Sequence, residues 1–413
     1  YDNAQLISLY SEAYQYTPDP IYKDIVYESL SFVERELTSA ENGFYSALDA
    51  DSEGVEGKFY TFTKDEIKVA LKNDADLFCI YYQIIDDGNW EEERTNILMR
   101  HSEDAELASR LGISEKELTD KISEAKKILL AFRAERIRPG LDNKILASWN
   151  GMMLKAYTDA YRVFEEADFL EKAKLSAAFI QKELIVGNEI RRVYSSENSP
   201  DEWSGAFLDD YAFVIDGLIG LYEVSFDEGY IYKAKQLADY TISDFYDNES
   251  GMFFYTPETG EQLIARKQEI MDNVIPSSNS VMANNLYKLA YLFDHQYYQE
   301  ISLRMLRNVH PHIKSYGSAY SNWAILLLNN VFGLFEIAIT GTEAEEKRKE
   351  IEKYYIPNKI LLGGTSGTLP LLADRFTAET KIYVCRNKTC LLPVTEAIEA
   401  IKQIDNPNTT PGG

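Results

Sequence analysis

The feature that most limits what this chain can become is a recurring pair of helices. Apolar residues return at helical spacing through two consecutive segments, a break follows, and the pattern starts again. Leu6, Ile7, Tyr10, Ala13 and Tyr14 mark one helix, and after Thr17-Pro18-Asp19-Pro20 a second carries Ile21, Ile25, Leu30, Val33 and Leu37. The layout returns from Trp149 to Ile185, from Ala206 to Tyr246 and from Ser277 to His312, with starts roughly sixty residues apart. A further helix, Ser318 to Val331, has no obvious mate. Repeated hairpins close into a ring or stack into an open superhelix. The loops that follow the second helix of a pair, Gly43-Phe44-Tyr45, Ile190 to Tyr194 and Gly251 to Tyr255, read as short strands, and such decorated loops favour the ring.

Two regions depart from the repeat. Between Gly57 and Pro139 capping boxes at Thr63 with Glu66 and at Ser114 with Glu117 start helices separated by polar loops, which reads as an insertion at 57–140. After Phe332 the pattern turns mixed, with strands at Phe335 to Thr340, Lys359 to Leu362 and Lys381 to Cys385 and helices at Glu343 to Tyr354 and Thr395 to Ile404. The expected organisation is a helical region, 1–331, followed by a small α/β region, 332–413.

Charge and cysteine usage exclude some partners. A net charge of -25 without a basic stripe argues against nucleic acid, whose phosphates need lysine and arginine. The longest apolar runs are too short for a bilayer. Three cysteines, Cys79, Cys385 and Cys390, do not make a disulfide scaffold, which points to a reducing, cytoplasmic setting. Cys385 and Cys390 read as buried small hydrophobes, and zinc would need four ligands that the chain does not group, so neither metal nor cofactor is expected. The 29 tyrosines suit sugar-lined clefts and helix packing alike.

Candidate chemistry gathers at helix starts and in one loop. In Leu141 to Gly151 a polar turn runs into a long apolar helix, placing Trp149 to stack on a sugar ring and Asn150 to bond a hydroxyl, unless both simply close the bundle. Asp209 and Asp210, followed by Tyr211, open another helix; carboxylates there complement the helix dipole, and an adjacent pair can also work as acid and base. Asp2-Asn3, and Ser277 with Asn279, occupy the corresponding places in their hairpins. Asp49, Asp51 and Glu53 alternate, so an extended backbone sets all three on one side, a way to present paired carboxylates to a glycosidic bond or to brace a loop. The run imitates a calcium loop, but the twelfth position is Tyr60, not glutamate.

These stretches resemble a known family. Tyr1-Asp2-Asn3-Ala4, Asp49 to Gly54 with Glu56-Gly57 and Phe59-Tyr60, Leu141 to Gly151, Asp209-Asp210-Tyr211-Ala212, and Thr389-Cys390 with Pro393-Val394-Thr395 carry the likeness in order along the chain. They are similar to the thioredoxin-fused YyaL and spermatogenesis-associated protein twenty family, whose helical part is similar to N-acylglucosamine 2-epimerases and six-hairpin glycosidases. The resemblance implies a mainly α fold, an (α/α)6 toroid with its functional cleft at one end. The family places a thioredoxin-like domain and a further helical segment ahead of the Tyr1 position. The expectation is therefore a toroid lacking its first hairpin, about nine helices where a closed ring has about twelve, with a small C-terminal α/β appendage.

The function this implies is that of a carbohydrate-active, six-hairpin glycosidase-like domain. Asp49, Asp51, Asp209 and Asp210 would supply acid and base, while Asp2, Asn3, Glu53, Trp149, Asn150, Tyr211, Ser277 and Asn279 would hold the saccharide. Adjacent aspartates at such a helix mouth are similar to the catalytic pairs of some six-hairpin mannosidases. Epimerases of the similar fold use ring histidines, yet His101, His295, His310 and His312 open no inner helix, which argues against that chemistry. Asn143 stands where the family pattern has a second aspartate, so that turn offers no carboxylate. The alternative is a non-catalytic binding or scaffold module serving the thioredoxin-like domain, with every cleft aspartate tied to arginine or backbone.

Overall fold

The computed structural model describes residues 1–195, 205–259 and 265–405. In chain order a hairpin of α1 (Asp2–Tyr16) and α2 (Pro20–Phe32) is followed by four helices of a separate unit, α3 (Lys64–Leu71), α4 (Ala75–Tyr81), α5 (Asp104–Leu111) and α6 (Glu115–Ala134). The hairpins then resume as α7 (Ala147–Phe164) with α8 (Ala167–Phe179), α9 (Leu208–Ser225) with α10 (Glu228–Phe245), and α11 (Ser278–Leu292) with α12 (Gln296–Ile313). The unmated α13 (Ser321–Phe332) leads to α14 (Ala344–Glu352) and α15 (Ala397–Asp405), which belong to the C-terminal α/β region.

Helices α1, α7, α9, α11 and α13 pack side by side in that order, and α2, α8, α10 and α12 each back their own partner. Burial explains the two layers. Helices α7, α9 and α11 are buried on nearly every side, whereas α8, α10 and α12 bury one face only. The hairpin corners are alike: Glu165, Phe226 and Asp294 turn the chain in the left-handed region at φ 56°, 54° and 51°. Asp227 and His295 then cap α10 and α12 with their side chains, and Glu166 stands at the same place before α8. Such short corners force antiparallel neighbours. The fold is thus a mainly α hairpin array of the (α/α)6 kind, with nine helices among the described residues. At its two ends α1 and α13 pack on one side, and they keep Leu9 and Leu328 exposed.

Glycine sets how closely α7 and α9 approach. A Cβ on Gly151 would stand 2.5 Å from the Phe213 carbonyl carbon, and one on Gly217 would stand 2.7 Å from the Gly151 carbonyl oxygen. Backbone meets backbone at this crossing, so no side chain can yield. Gly151→Ala is expected to lower stability by about 1–3 kcal/mol, read as faster amide exchange in α7 and α9 than in the four-helix unit.

The C-terminal region packs on the array within the same unit. Its sheet runs in the order Lys359–Gly364, Phe335–Thr340, Lys381–Arg386, Thr389–Cys390. Phe335–Thr340 pairs parallel with Lys359–Gly364 across α14 and antiparallel with Lys381–Arg386, and as the enclosed strand it is buried at every residue. Cys385 and Cys390 face each other across the hairpin and form a disulfide, where two separate thiols were expected. The spacing hides this, because a tight two-strand turn brings residues five apart into register. Among the described residues no helix is long and apolar enough to cross a membrane.

The second unit runs from Ala47 to Asp142. It therefore begins earlier than the insertion expected from Gly57, because Ala47-Leu48 pairs with Leu141-Asp142 and closes it like a clasp. Thr63 and Glu66 form the full capping box and Ser114 caps α6, as the sequence indicates. Phe62, Ile67, Phe78, Leu118, Ile122 and Leu129 make a core of its own.

Candidate active site at the mouths of the inner helices

Three inner helices start with the same architectural problem. The strand-like loop after an outer helix must be fastened to the next inner helix, and its buried backbone groups need partners. In α7 the solution is Asn150, fully buried: its Oδ1 accepts the Phe44 N–H at 2.8 Å, and its Nδ2 donates to the carbonyls of Phe44 at 3.1 Å and Leu146 at 2.9 Å. In α11 Asn279 repeats it. Its Oδ1 accepts from Phe253 N at 2.8 Å, and its Nδ2 donates to Phe253 O at 3.0 Å and Glu269 O at 2.9 Å. Phe44 and Phe253 lie in the rhyming loops of the sequence, so both asparagines act as latches between backbone segments.

Helix α9 breaks this rule. The loop amide to be fastened is that of Ile190, and it donates to the Tyr211 hydroxyl at 3.1 Å. Tyr211 is the fourth residue of α9, as Asn150 is of α7, so the latch keeps its place with a different side chain, and Asp210 stands one residue before it. Its Oδ1 accepts from Ser148 N at 3.0 Å, and its Oδ2 accepts from Phe207 N at 2.9 Å and from Arg192 Nη1 at 2.7 Å. The same Arg192 nitrogen reaches Asp209 Oδ1 at 3.0 Å. Strand Val193–Tyr194 pairs with Ile145–Leu146, and Ala147 N donates to Arg192 O at 2.9 Å, which fixes Arg192 beside the mouths of both α7 and α9. Its guanidinium also lies 4.5 Å from the Phe207 ring centroid, and that ring packs against Tyr255.

The electrostatics of this cluster are uneven. Burial, reinforced by the neighbouring Asp209 charge, pushes Asp210 up to about 7 against the pull of Arg192 and the Phe207 and Ser148 amides. Burial opposes the charge on Arg192, but Asp210 and Asp209 outweigh it and hold that pKa above its usual value. Burial raises the Tyr255 hydroxyl, helped by Asp209. Because one nitrogen bridges them, Asp209 Oδ1 and Asp210 Oδ2 cannot be further apart than those two bonds end to end, about 5.7 Å. The two carboxyl groups are close enough to share one cation.

The other residues singled out in the sequence fall in several places. Trp149 is half-buried, its ring 4.9 Å from that of Tyr1. Asp2 is exposed and Asn3 half-buried at the start of α1. Ser277 caps α11, accepting from Ser280 N at 3.2 Å, and donates to Ile270 O at 2.9 Å. Asp49, Asp51 and Glu53 belong to the second unit and are exposed. The alternation expected of them does not continue: Asp51-Ser52 pairs with Val55-Glu56, and Glu53 and Gly54 form the turn at φ 56° and 77°. Asp49 Oδ1 accepts from Asp51 N at 3.1 Å, and Glu53 pairs with Lys58 at 2.6 Å. Arg192 is the residue the sequence reading missed. A basic Arg191-Arg192 step shortly before an aspartate pair, in so acidic a chain, was the available signal.

A second charged cluster lies at the opposite ends of the same helices. Arg162 of α7 donates to Asp159 at 3.2 Å, to Glu223 of α9 at 3.3 Å and to Glu352 of α14 at 2.9 Å. Glu352 also pairs with Arg348, and Glu223 accepts from Leu361 N at 3.1 Å. Every carboxylate here has a cation or an amide, and the cluster joins the array to the C-terminal sheet. A surface hollow of about 420 Å³ along α10, lined by Tyr232, Lys235 and Asp239 among others, holds none of these groups.

No family model matches the chain. Among curated proteins it is 29% identical to spermatogenesis-associated protein 20 of Homo sapiens, over 97% of this chain and 57% of that protein. The rat protein of the same name is 28% identical, over 97% of this chain and 57% of its own length. The chain thus spans little more than half the length of these relatives. Among solved structures, a GH76 α-mannanase of Bacteroides thetaiotaomicron matches at a TM-score of 0.44 and 11% identity, covering 89% of this chain and 80% of that one. Cellobiose 2-epimerase from Bacillus thermoamylovorans matches at 0.34 and 14%, covering 68% of each. Likeness at this level does not specify a reaction. The chain is thus similar, along nearly its whole length, to spermatogenesis-associated protein 20 of Homo sapiens and of Rattus norvegicus.

Proposed function

We propose that the chain processes a saccharide at the mouths of α7 and α9, with Asp210 as the general acid and Asp209 as the carboxylate that attacks or stabilises the anomeric carbon. The observation that carries this reading is the pair of carboxyl groups just before the latch in α9. Asp210, one residue before the Tyr211 latch, is buried beside the Asp209 carboxyl group, and burial with that neighbouring charge pushes its pKa up to about 7. A glycosidic oxygen needs such a proton, and the developing oxocarbenium ion needs such a carboxylate. Trp149 would offer a sugar its half-buried ring face. Arg192 would leave the pair, or turn to a substrate hydroxyl, when the sugar enters.

A panel of aryl glycosides and oligosaccharides, assayed with the full chain, tests this. The expected result is cleavage of at least one with retention of anomeric configuration. Asp210→Asn and Asp209→Asn should each reduce the rate about a hundred-fold or more. Inversion of the product, or variants as active as the parent, would overturn the assignment.

One observation favours a second reading. Both carboxyl groups are held by Arg192, and Asp210 is wholly enclosed. A binding module without catalysis would have its aspartates engaged in this way. It would bind members of the oligosaccharide panel without cleaving any, and Asp210→Asn would leave the affinity intact.

A further inference from the structure

The disulfide Cys385–Cys390 has unequal surroundings. Cys385 is buried in the sheet, and Cys390 is half-exposed on the edge strand. Arg375 reaches both sulfurs, with Nη1 3.5 Å from Cys385 Sγ and Nη2 3.1 Å from Cys390 Sγ. The Tyr383 ring, its centroid 4.6 Å away, supports the guanidinium. A neutral disulfide is a weak acceptor and gains little from a cation. A thiolate at either position gains a great deal. The bond also closes a short loop, with a sequence separation of 5. Closing so short a loop removes little entropy from the unfolded chain, so folding protects such a bond less than one that spans a long loop.

We propose that Cys385–Cys390 is a redox-active disulfide whose substrate is a dithiol, with Arg375 as the residue that stabilises the protein thiolates. A thiolate of the dithiol attacks the accessible Cys390 Sγ, the Cys385–Cys390 bond breaks, and Cys385 leaves as a thiolate facing Arg375 Nη1. The second thiolate of the dithiol attacks its own partner sulfur in the mixed disulfide, which releases Cys390 as a thiolate facing Arg375 Nη2. The dithiol ends as a cyclic disulfide, the protein ends as a dithiol, and two electrons and two protons have been transferred.

The fold gives this exchange a structural reach. The turn between the two cysteines is tied to Glu336, whose Oε1 accepts from Lys388 N at 3.0 Å, and to the end of α11, where Tyr291 donates to Asn387 at 3.4 Å and Asp294 pairs with Lys388. Glu336 and Tyr383 are the other titratable groups beside Arg375, and Lys388 lies in the turn itself.

Dithiothreitol treatment of the native full chain, iodoacetamide labelling across a pH series and mass spectrometry of the labelled cysteines test the proposal, with buried Cys79 as the internal control. Cys390 is expected to become labelled without denaturant, with a labelling midpoint below the ordinary cysteine value of about 8.5. Arg375→Met should raise that midpoint by about one unit and slow labelling at neutral pH about three- to ten-fold. A disulfide that resists dithiothreitol until urea is added would overturn the proposal. So would a wild-type midpoint at or above the ordinary value, which needs no variant to fold, or identical pH profiles for the parent and Arg375→Met.

Discussion

Replacing Arg162 with methionine is expected to cost about 3–5 kcal/mol. Its guanidinium satisfies Asp159, Glu223 and Glu352 together, and the side chains of these three are 1%, 8% and 1% exposed. Methionine fills the volume but leaves three buried carboxylates short of a cation. The burden then shifts to Lys155, which pairs with Asp159 at 2.7 Å, and to Arg348, which pairs with Glu352. The pH dependence follows from sign. Burial acts to raise Asp159, but Lys155 and Arg162 outweigh it and hold its pKa below the usual value. A carboxylate with a depressed folded pKa contributes stability that is present above its unfolded pKa and lost as pH falls through the folded one. The variant should therefore differ most from the parent near neutrality and least in acid. Hydrogen exchange should report the loss in α7, α9 and strand Lys359–Gly364, which the cluster ties together. Equal protection of these elements in both proteins at neutral pH would show that the cluster does not hold them.

Asn150→Ala should cost nearly as much, about 3–5 kcal/mol, because each buried polar group left without a partner costs about 1–3 kcal/mol. Two are stranded at once, the N–H and C=O of Phe44, while the Leu146 C=O keeps only the first bond of the helix. Asn150→Asp is no remedy, since an ionised carboxylate keeps the bond from Phe44 N but turns acceptors toward two carbonyls. Asn279→Ala should show the same cost around Phe253 and Glu269. If instead Asn150→Ala left stability unchanged and weakened saccharide binding, the residue would be a ligand contact and the latch account would fail.

Much of the architecture was legible because periodicity is a direct record of burial. The hairpins at α7 to α12, the caps at Thr63, Ser114 and Ser277 and the C-terminal strands all follow from spacing and local chemistry. What could not be read was anything set by contacts distant along the chain. The clasp of Ala47-Leu48 on Leu141-Asp142, which moves Asp49 and Asp51 into the second unit, joins segments far apart in sequence. The position of Glu53 at a left-handed turn depends on the pairing of its flanking strands, so the three-carboxylate alternation looked sound until the hairpin was seen. Asn150 and Tyr211 are each the fourth residue of their helix and each latches a loop, one through an amide and the other through a hydroxyl, while Asp210 just before Tyr211 bonds two amides and Arg192. Sequence alone marks Asn150, Asp210 and Tyr211 as polar residues at a helix start and cannot distinguish which of them holds a loop.

The proposed acid role requires Asp210 to be still protonated near neutral pH. The sign is opposite to that of Asp159: with its folded pKa raised, Asp210 contributes stability that is fully present below its unfolded pKa and is lost as pH rises through about 7. Carboxyl carbon NMR of aspartate-labelled protein measures this directly. The expected result is one aspartate resonance that titrates near pH 7 and disappears in Asp210→Asn. If every aspartate carboxyl instead titrated in the ordinary acidic range, Asp210 would be a plain ion-pair partner of Arg192, and the acid–base assignment would be contradicted.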